Sequence, residues 1–345
     1  MVSIERRSGG GILTARTARW ADEENREGRA AETFGAECNP TGNPIGGGDG
    51  YADVVKTRDR SVRSYEELAL ALKEAAAGDV VFLPADVRID MSGRPGLGIP
   101  EAVTLAGDRG TNGSAGGLVY SNAPDTPFLL RTDGDCIRVT GLRFRGPYPH
   151  RDRAAHTSNG ILTSHFALEI DNCEIRGFSV AATRFDDGAT RGYVHHNFIH
   201  HNQKGGLGYG VSINGATVLV EANLFDWCRH HIASSGTPGS GYEARYNICL
   251  DHANGHLFDM HGGQDRGDAT EISGDWMDIH HNTFIAQHVR SVVIRGAPCQ
   301  DARIHHNRCL SPLPENVVRA GGNTRAYQNL LGPEGQLVEN QRVEP

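Results

Sequence analysis

An Asn recurs along the second half of the chain at a nearly fixed spacing, and that period constrains the fold more than any other feature. The segments LEIDNCEI, YVHHNFIH, VEANLFDW, EARYNICL, DIHHNTFI and ARIHHNRCL align on Asn172, Asn197, Asn223, Asn247, Asn282 and Asn307, at steps of 25, 26, 24, 35 and 25 residues. A further copy, AYQNLL, places Asn329 another 22 residues on, and upstream IRVTGLRF puts Gly141 in the same slot. A period of this size marks stacked units, each burying its apolar face only against its neighbours. The segments are short and rich in β-branched and aromatic residues, so they read as strands. Between them the chain is Gly-rich and lacks a 3.6-residue period, which excludes leucine-rich and helical repeats. The expected fold is all-β, a single right-handed parallel β-helix. Stacked Asn side chains would hydrogen-bond along the stack, and the same Asn residues would take the left-handed backbone of a sharp bend.

The 345 residues are 38% hydrophobic and 22% charged, enough apolar material for a core and too little charge for wholesale disorder. The 44 Gly follow no Gly-X-Y period and fit a fold of many tight turns. A net charge of −8 argues against nucleic acid as a partner. No apolar run reaches membrane-spanning length. The first twenty residues lack the apolar stretch of a signal peptide, so the protein is expected in the cytoplasm unless a leader was removed. Seven Cys, an odd number with no CxxC, argue against a disulfide framework. Cys173, Cys249 and Cys309, close to the repeating Asn positions, are expected as small buried hydrophobes.

Residues 1–50 are polar and Gly-rich and are expected as an arm over the body. Residues 51–335 form the β-helix domain and 336–345 a tail. Within it, RSYEELALALKEAAA (63–77) has helical spacing and a Ser64/Glu67 capping box, and GDVVFLP follows as a buried strand. Such a helix would plug the open end of the stack. The 35-residue step needs an insertion, which is expected in the polar GGQDRGDATEISGDW (262–276).

Each coil carries a second strand ending in Gly: GVSING, HHIASSG, LFDMHG and VVIRG, anchored on Gly215, Gly236, Gly262 and Gly296. Alternation puts Val211, Ile213, Ile232, Ser234, Phe258, Met260, Val292 and Ile294 inside. It puts Ser212, Asn214, His231, Ala233, Ser235, Asp259, His261, Val293 and Arg295 outside. Asn214, Ser235, His261 and Arg295 should form one column, with Asp259 and His231 beside it. The pairs His195/His196, His280/His281 and His305/His306 precede the repeating Asn; they are expected as a surface ladder, with Zn or Cu binding as the rival reading.

This organisation resembles the pectate lyase-like superfamily over roughly residues 45–330. GGGDGY, the helix and GDVVFLP look like the opening of pectate lyases, and CIRVTGLRFRG and HFALEIDNCEIRGF look like two successive core coils. FDMHG (258–262) is similar to the Asp-x-His strand motif of mannuronan C5-epimerases, with Met260 where Pro is usual. WCRHHIAS loosely resembles the strand bearing the catalytic Arg of pectate lyases, which singles out Arg229, although the second Arg and the Pro are missing. The NTD and paired-Asp motifs of polygalacturonases are absent. The resemblance implies a lyase cleaving an acidic, uronic acid-containing polysaccharide by β-elimination. The alternatives are a C5-epimerase, a glycoside hydrolase or a non-catalytic carbohydrate-binding β-helix. His261 would be base or acid, Asp259 its orienting carboxylate, Arg295 the partner of the substrate carboxylate and His231 or Arg229 a second proton-transfer or subsite residue. Asn214, Ser235 and Lys204 would line subsites, and Asp186 and Asp187 in FDDG are the calcium candidates. A monomer is expected, as for many β-helix proteins.

Overall fold

A computed structural model of the protein describes residues 32–148, 156–341 and 343. Residues Thr33–Pro345 gather into one compact unit, and the part of the expected arm before residue 32 lies outside the described residues. The architecture is the expected right-handed parallel β-helix. Nine strands, from Leu97–Ile99 to Val318–Ala320, stack in coil order into one sheet, and 21 pair into a second. Among the described residues, the strands of successive coils pair in parallel, and the antiparallel pairings are the closing hairpin of Thr324–Leu331 with Gln336–Gln341 and a bridge between Lys204 and Leu207. Most of the expected tail therefore belongs to the fold. One apolar cluster runs the length of the stack, from Val62 to Leu331. The helix Tyr65–Glu74 begins at Ser64, whose side chain accepts from the Glu67 amide. It buries Leu68, Ala71 and Leu72, while Leu70 faces solvent. No helix among the described residues is long and apolar enough to cross a membrane. All seven Cys are free, and Cys173, Cys249 and Cys309 are buried.

The repeating Asn form a continuous ladder, shifted from the expected one at its start. Asn197, Asn223, Asn247, Asn282, Asn307 and Asn329 are fully buried. In each, the side-chain oxygen accepts from the backbone amide of the residue in the coil before, for example Asn223 N to Asn247 Oδ1 at 2.9 Å and Asn247 N to Asn282 Oδ1 at 3.1 Å. The side-chain nitrogen donates to a backbone carbonyl, as Asn247 Nδ2 does to Val220 O at 2.8 Å. Asn172 is not in this ladder. Strand register pairs Asp171 with His195, so Cys173 occupies the ladder slot and Asn172 the bend beside it. The left-handed backbone falls on the residue before each ladder Asn: Gly141, Asn172, His196, Ala222, Tyr246, His281, His306 and Gln328 all have positive φ. The ladder Asn are held by their amides, not by tolerance of that conformation.

Residues 33–51 run along this corner. Gly35 N donates to His306 O, Gly46 N to Ala222 O and Gly48 N to Asn172 Oδ1. His196 contacts Thr41 Oγ1 at 2.9 Å, and Tyr51 donates to Asp171. The paired imidazoles meet Nδ1 to Nδ1 at 2.8 Å (His195/His196), 2.7 Å (His280/His281) and 2.8 Å (His305/His306). The first of each pair turns Nε2 to a carboxylate: Glu169, Glu243 and Asp278. The expected surface ladder forms only in part: His280/His281 stack on His305/His306 in the next coil, whereas Glu221 and Arg245 separate them from His195/His196, which are buried.

Replacing Asn247 by Ala should leave the buried Asn223 amide without its acceptor and remove three further hydrogen bonds, to Asn223 Nδ2, Val220 O and Asn282 Oδ1. Each buried group left unsatisfied costs roughly 1–3 kcal/mol, so the loss should be about 3 kcal/mol. A large fall in melting temperature, read by circular dichroism, is the expected result.

Candidate functional site

The nine-strand sheet positions the candidate chemistry. Arg184, Ser212, Ala233, Asp259 and Val293 are paired across consecutive coils, so they share its outer face. One outward step further, Asn214 N donates to Phe185 O, Ser235 N to Ile213 O, His261 N to Ser234 O and Arg295 N to Met260 O. The expected column of Asn214, Ser235, His261 and Arg295 therefore forms. Gly236 lets the chain turn beneath it: its φ is +66°, and a Cβ there would lie 1.8 Å from the carbonyl oxygen of His261.

Asp259 is the centre of the cluster and fully buried. It accepts from Arg295 Nε at 3.0 Å and Nη2 at 2.6 Å, and from His261 Nε2 at 3.1 Å. Burial alone would raise its carboxyl pKa. The His261 hydrogen bond and the neighbouring positive charge outweigh burial and hold it below the usual carboxylate range. His230 Nε2 is 3.2 Å from the same carboxylate but is not aligned for a hydrogen bond. Burial drives the His230 pKa down to about 4, so the ring is uncharged at neutral pH and the ionised Asp259 rests on His261 and Arg295. Arg295 also meets Asp265 at 3.1 Å, on the insertion expected at 262–276, whose short helix spans Gly263–Arg266. His261 keeps a quarter of its side chain exposed. Its Nδ1 has no hydrogen-bond partner among the described residues.

His261 lines a groove of about 220 Å³ together with Arg184, Tyr209, Ser212, Asn214 and Ser235. A larger concavity of about 390 Å³ lies at the closing hairpin, near Tyr327 and Gln341, far along the chain from this cluster and without a carboxylate or imidazole lining it. Tyr209 was not singled out by the sequence because it precedes the aligned GVSING strand. It donates to Gly206 O at 3.0 Å, and burial raises its pKa, so the hydroxyl stays protonated.

His231, expected on the outer face, is a correction. It is fully buried against Phe225, and neither ring nitrogen has a partner. The amides of His231 and Ile232 both donate to Leu257 O, at 2.8 and 3.2 Å. Two consecutive amides on one carbonyl mark a bulge, which breaks the alternation and puts both side chains inside. His230 takes the outward place beside Tyr209, with rings 5.7 Å apart. Arg295 is already engaged by Asp259 and Asp265, not open toward the groove as expected. Arg229, expected as a subsite residue, is not among the residues lining the groove; its amide is bonded to Gly208 O. Lys204 is not among the lining residues either; its Nζ is 3.4 Å from the His156 carbonyl. Asp186 accepts from Arg184 Nε at 2.8 Å and Asn214 Nδ2 at 3.0 Å, while Asp187 is exposed. A carboxylate paired with a guanidinium is a poor calcium ligand. Elsewhere, Glu169, Asp171 and His195 bring ligand atoms within 4.8 Å of one another, close enough for a metal. The Asp171 oxygens, however, already accept from Arg138, Tyr51 and Thr140, and an ion would have to displace these donors.

No family model and no curated protein matches the chain. Among solved structures, it is similar to an alginate lyase from Paenibacillus sp. str. FPU-7, with a TM-score of 0.56 and 17% identity over 83% of this chain and 98% of that one. The likeness establishes the class, a parallel β-helix of the same architecture, and nothing finer.

Replacing His231 by Leu should remove two buried, unpartnered nitrogens and stabilise the protein by about 1 kcal/mol near neutral pH. Burial holds the His231 pKa at about 3, below its ordinary 6.5. The unfolded chain therefore binds the extra proton, and native stability falls as pH drops from about 6.5 toward 3. Leu carries no such loss, so the variant's advantage in denaturant melts should widen with acidification.

Proposed function

We propose that the protein is a polysaccharide lyase that cleaves a uronic acid-containing polymer by β-elimination. The observation that carries this reading is the buried Asp259 holding His261 by Nε2, with Nδ1 unpartnered and the residue lining a groove. An imidazole fixed in this way by a carboxylate is a positioned proton acceptor. His261 removes the C5 proton of a uronate in the groove. The protonated Tyr209 hydroxyl, on the same groove wall, supplies the proton to the departing C4 oxygen. Arg295 and Asp259 act as positioning residues that keep His261 in its orientation. Asn214, Ser235 and Arg184 line the path of the sugar chain. That a solved protein of the same architecture is an alginate lyase supports the substrate class. A hydrolase would need two free carboxylates flanking the bond; Asp259 and Asp186 are both already paired. An epimerase would use the same C5 proton removal without cleavage.

The test is ultraviolet absorbance over time with pectate, alginate, glucuronan and glycosaminoglycans. A rise on one of them, from the conjugated double bond, is expected. His261→Ala should slow it by about 10³-fold with an unchanged melting temperature. No absorbance rise on any polymer, or an active His261→Ala variant, would contradict the proposal.

A further inference from the structure

Strand register sets Arg131, Leu162, Arg184, Ser212, Ala233 and Asp259 in one row across successive coils, on the outer face of the nine-strand sheet. Two places in the row carry Arg, and both are built alike. Arg131 Nε meets Asp133 Oδ1 at 2.8 Å, and Arg184 Nε meets Asp186 Oδ1 at 2.8 Å. Each carboxylate comes two residues after its Arg, on the same side of the chain. Gly98 makes room for the first: a Cβ there would lie 1.7 Å from Asp133 Oδ2. Asn214 Nδ2 holds the second at 3.0 Å. The contact takes Nε alone, and the Nη atoms of both guanidinium groups have no hydrogen-bond partner among the described residues. The Arg131 and Arg184 side chains are 56% and 37% exposed. Ion pairs this exposed add little to stability. What each pair does is aim a guanidinium whose Nη edge can still take an anion in a two-pronged contact.

Arg184 lines the groove with His261, and Arg131 stands on the same face two coils beyond it. The row between Arg184 and Asp259 is low, because Ser212 and Ala233 are small, and Leu162 offers apolar surface between the two Arg. Neighbouring strands lie about 4.8 Å apart, close to the length of one sugar in an extended polysaccharide. Three coils put Arg184 about 14 Å from Asp259 along the stack, and five put Arg131 about 24 Å away. The two Arg are separated by two coils, the spacing of alternate sugars, whose carboxylates point the same way in a chain with two residues per turn.

We propose that the polyuronate lies along the helix axis and that Arg184 and Arg131 bind the carboxylates of two alternate sugars on one side of the reacting one. The proposal rests on the lyase reading and adds the direction and length of the bound chain. Arg184 reads the third sugar from the reacting one and Arg131 the fifth, so the protein selects long, continuously charged stretches over short ones.

The experiment is calorimetric binding to the full chain carrying His261→Ala, so that nothing is cleaved. The probes are trimers and heptamers of galacturonate, mannuronate, guluronate and glucuronate, and heptamers with their carboxylates reduced to alcohols. One acidic heptamer should bind at least tenfold tighter than its trimer and than its reduced form. Adding Arg184→Gln should weaken the heptamer at least tenfold, and Arg184→Lys, which keeps the charge but not the fork, should fall between. Adding Arg131→Gln should cut the heptamer's advantage over the trimer severalfold. Arg184→Gln combined with Asp186→Asn should stay as weak as Arg184→Gln alone, which separates a lost contact from an uncovered negative charge. If Arg184→Gln fails to fold, Arg184→Lys decides the matter. Equal binding of heptamer and trimer or of heptamer and its reduced form, heptamer binding unchanged by both Gln variants, full recovery in the combined variant, or no binding of any uronate would overturn the path. Length- and charge-selective binding through Arg184, with no absorbance rise when His261 is intact, would uphold the path and sink the lyase reading. An absorbance rise on a polymer whose heptamer binds no better than its trimer would do the reverse.

Discussion

The structure depends on a column of buried Asn side chains at one corner of the helix. Each accepts from a backbone amide of the coil before it and donates to a backbone carbonyl of that same coil. At that corner the backbone turns through a left-handed residue, and its amides would otherwise be buried without partners. The ladder satisfies them and fixes the rise between coils. Register in both sheets follows from that rise, and the outer face of the nine-strand sheet inherits it. His261 and Arg295 stand one coil apart because their strands are locked in this way.

The site uses the stack differently. Asp259 is placed on the outer face yet has no exposed surface, because His230, His261 and Arg295 close over it. An ionised carboxylate there would be unfavourable alone. The Arg295 fork and the His261 hydrogen bond make it tolerable, and in return they fix the imidazole's orientation. The 262–276 insertion adds Asp265 behind Arg295, which completes the guanidinium without taking His261 from the groove.

The repeat, the parallel stack, the capping helix, the insertion and the column His261–Arg295 were legible in the sequence. They rest on period and alternation, which the sequence carries directly. What it hid were departures from period. Asn172 and Cys173 sit one place from where the alignment puts them, because Asn is as natural in the left-handed bend as in the ladder slot. His230 and His231 exchange faces because a bulge, which leaves no residue signature here, interrupts alternation. The engagement of Arg295 depends on which carboxylates lie nearby in space, and spacing along the chain does not record that. Tyr209 was missed because the strand begins before its repeated motif.

The proposed elimination requires Asp259 to keep His261 ready to take a C5 proton. The most direct measurement incubates the responsive polyuronate in D2O and follows the C5 hydrogen by proton nuclear magnetic resonance, with wild type and Asp259→Asn. Loss of the C5 hydrogen at the cleaved residue is expected with the wild type, and a rate slowed by orders of magnitude in the folded variant. Cleavage that leaves the C5 hydrogen in place, or an Asp259→Asn variant as fast as the wild type, would contradict it.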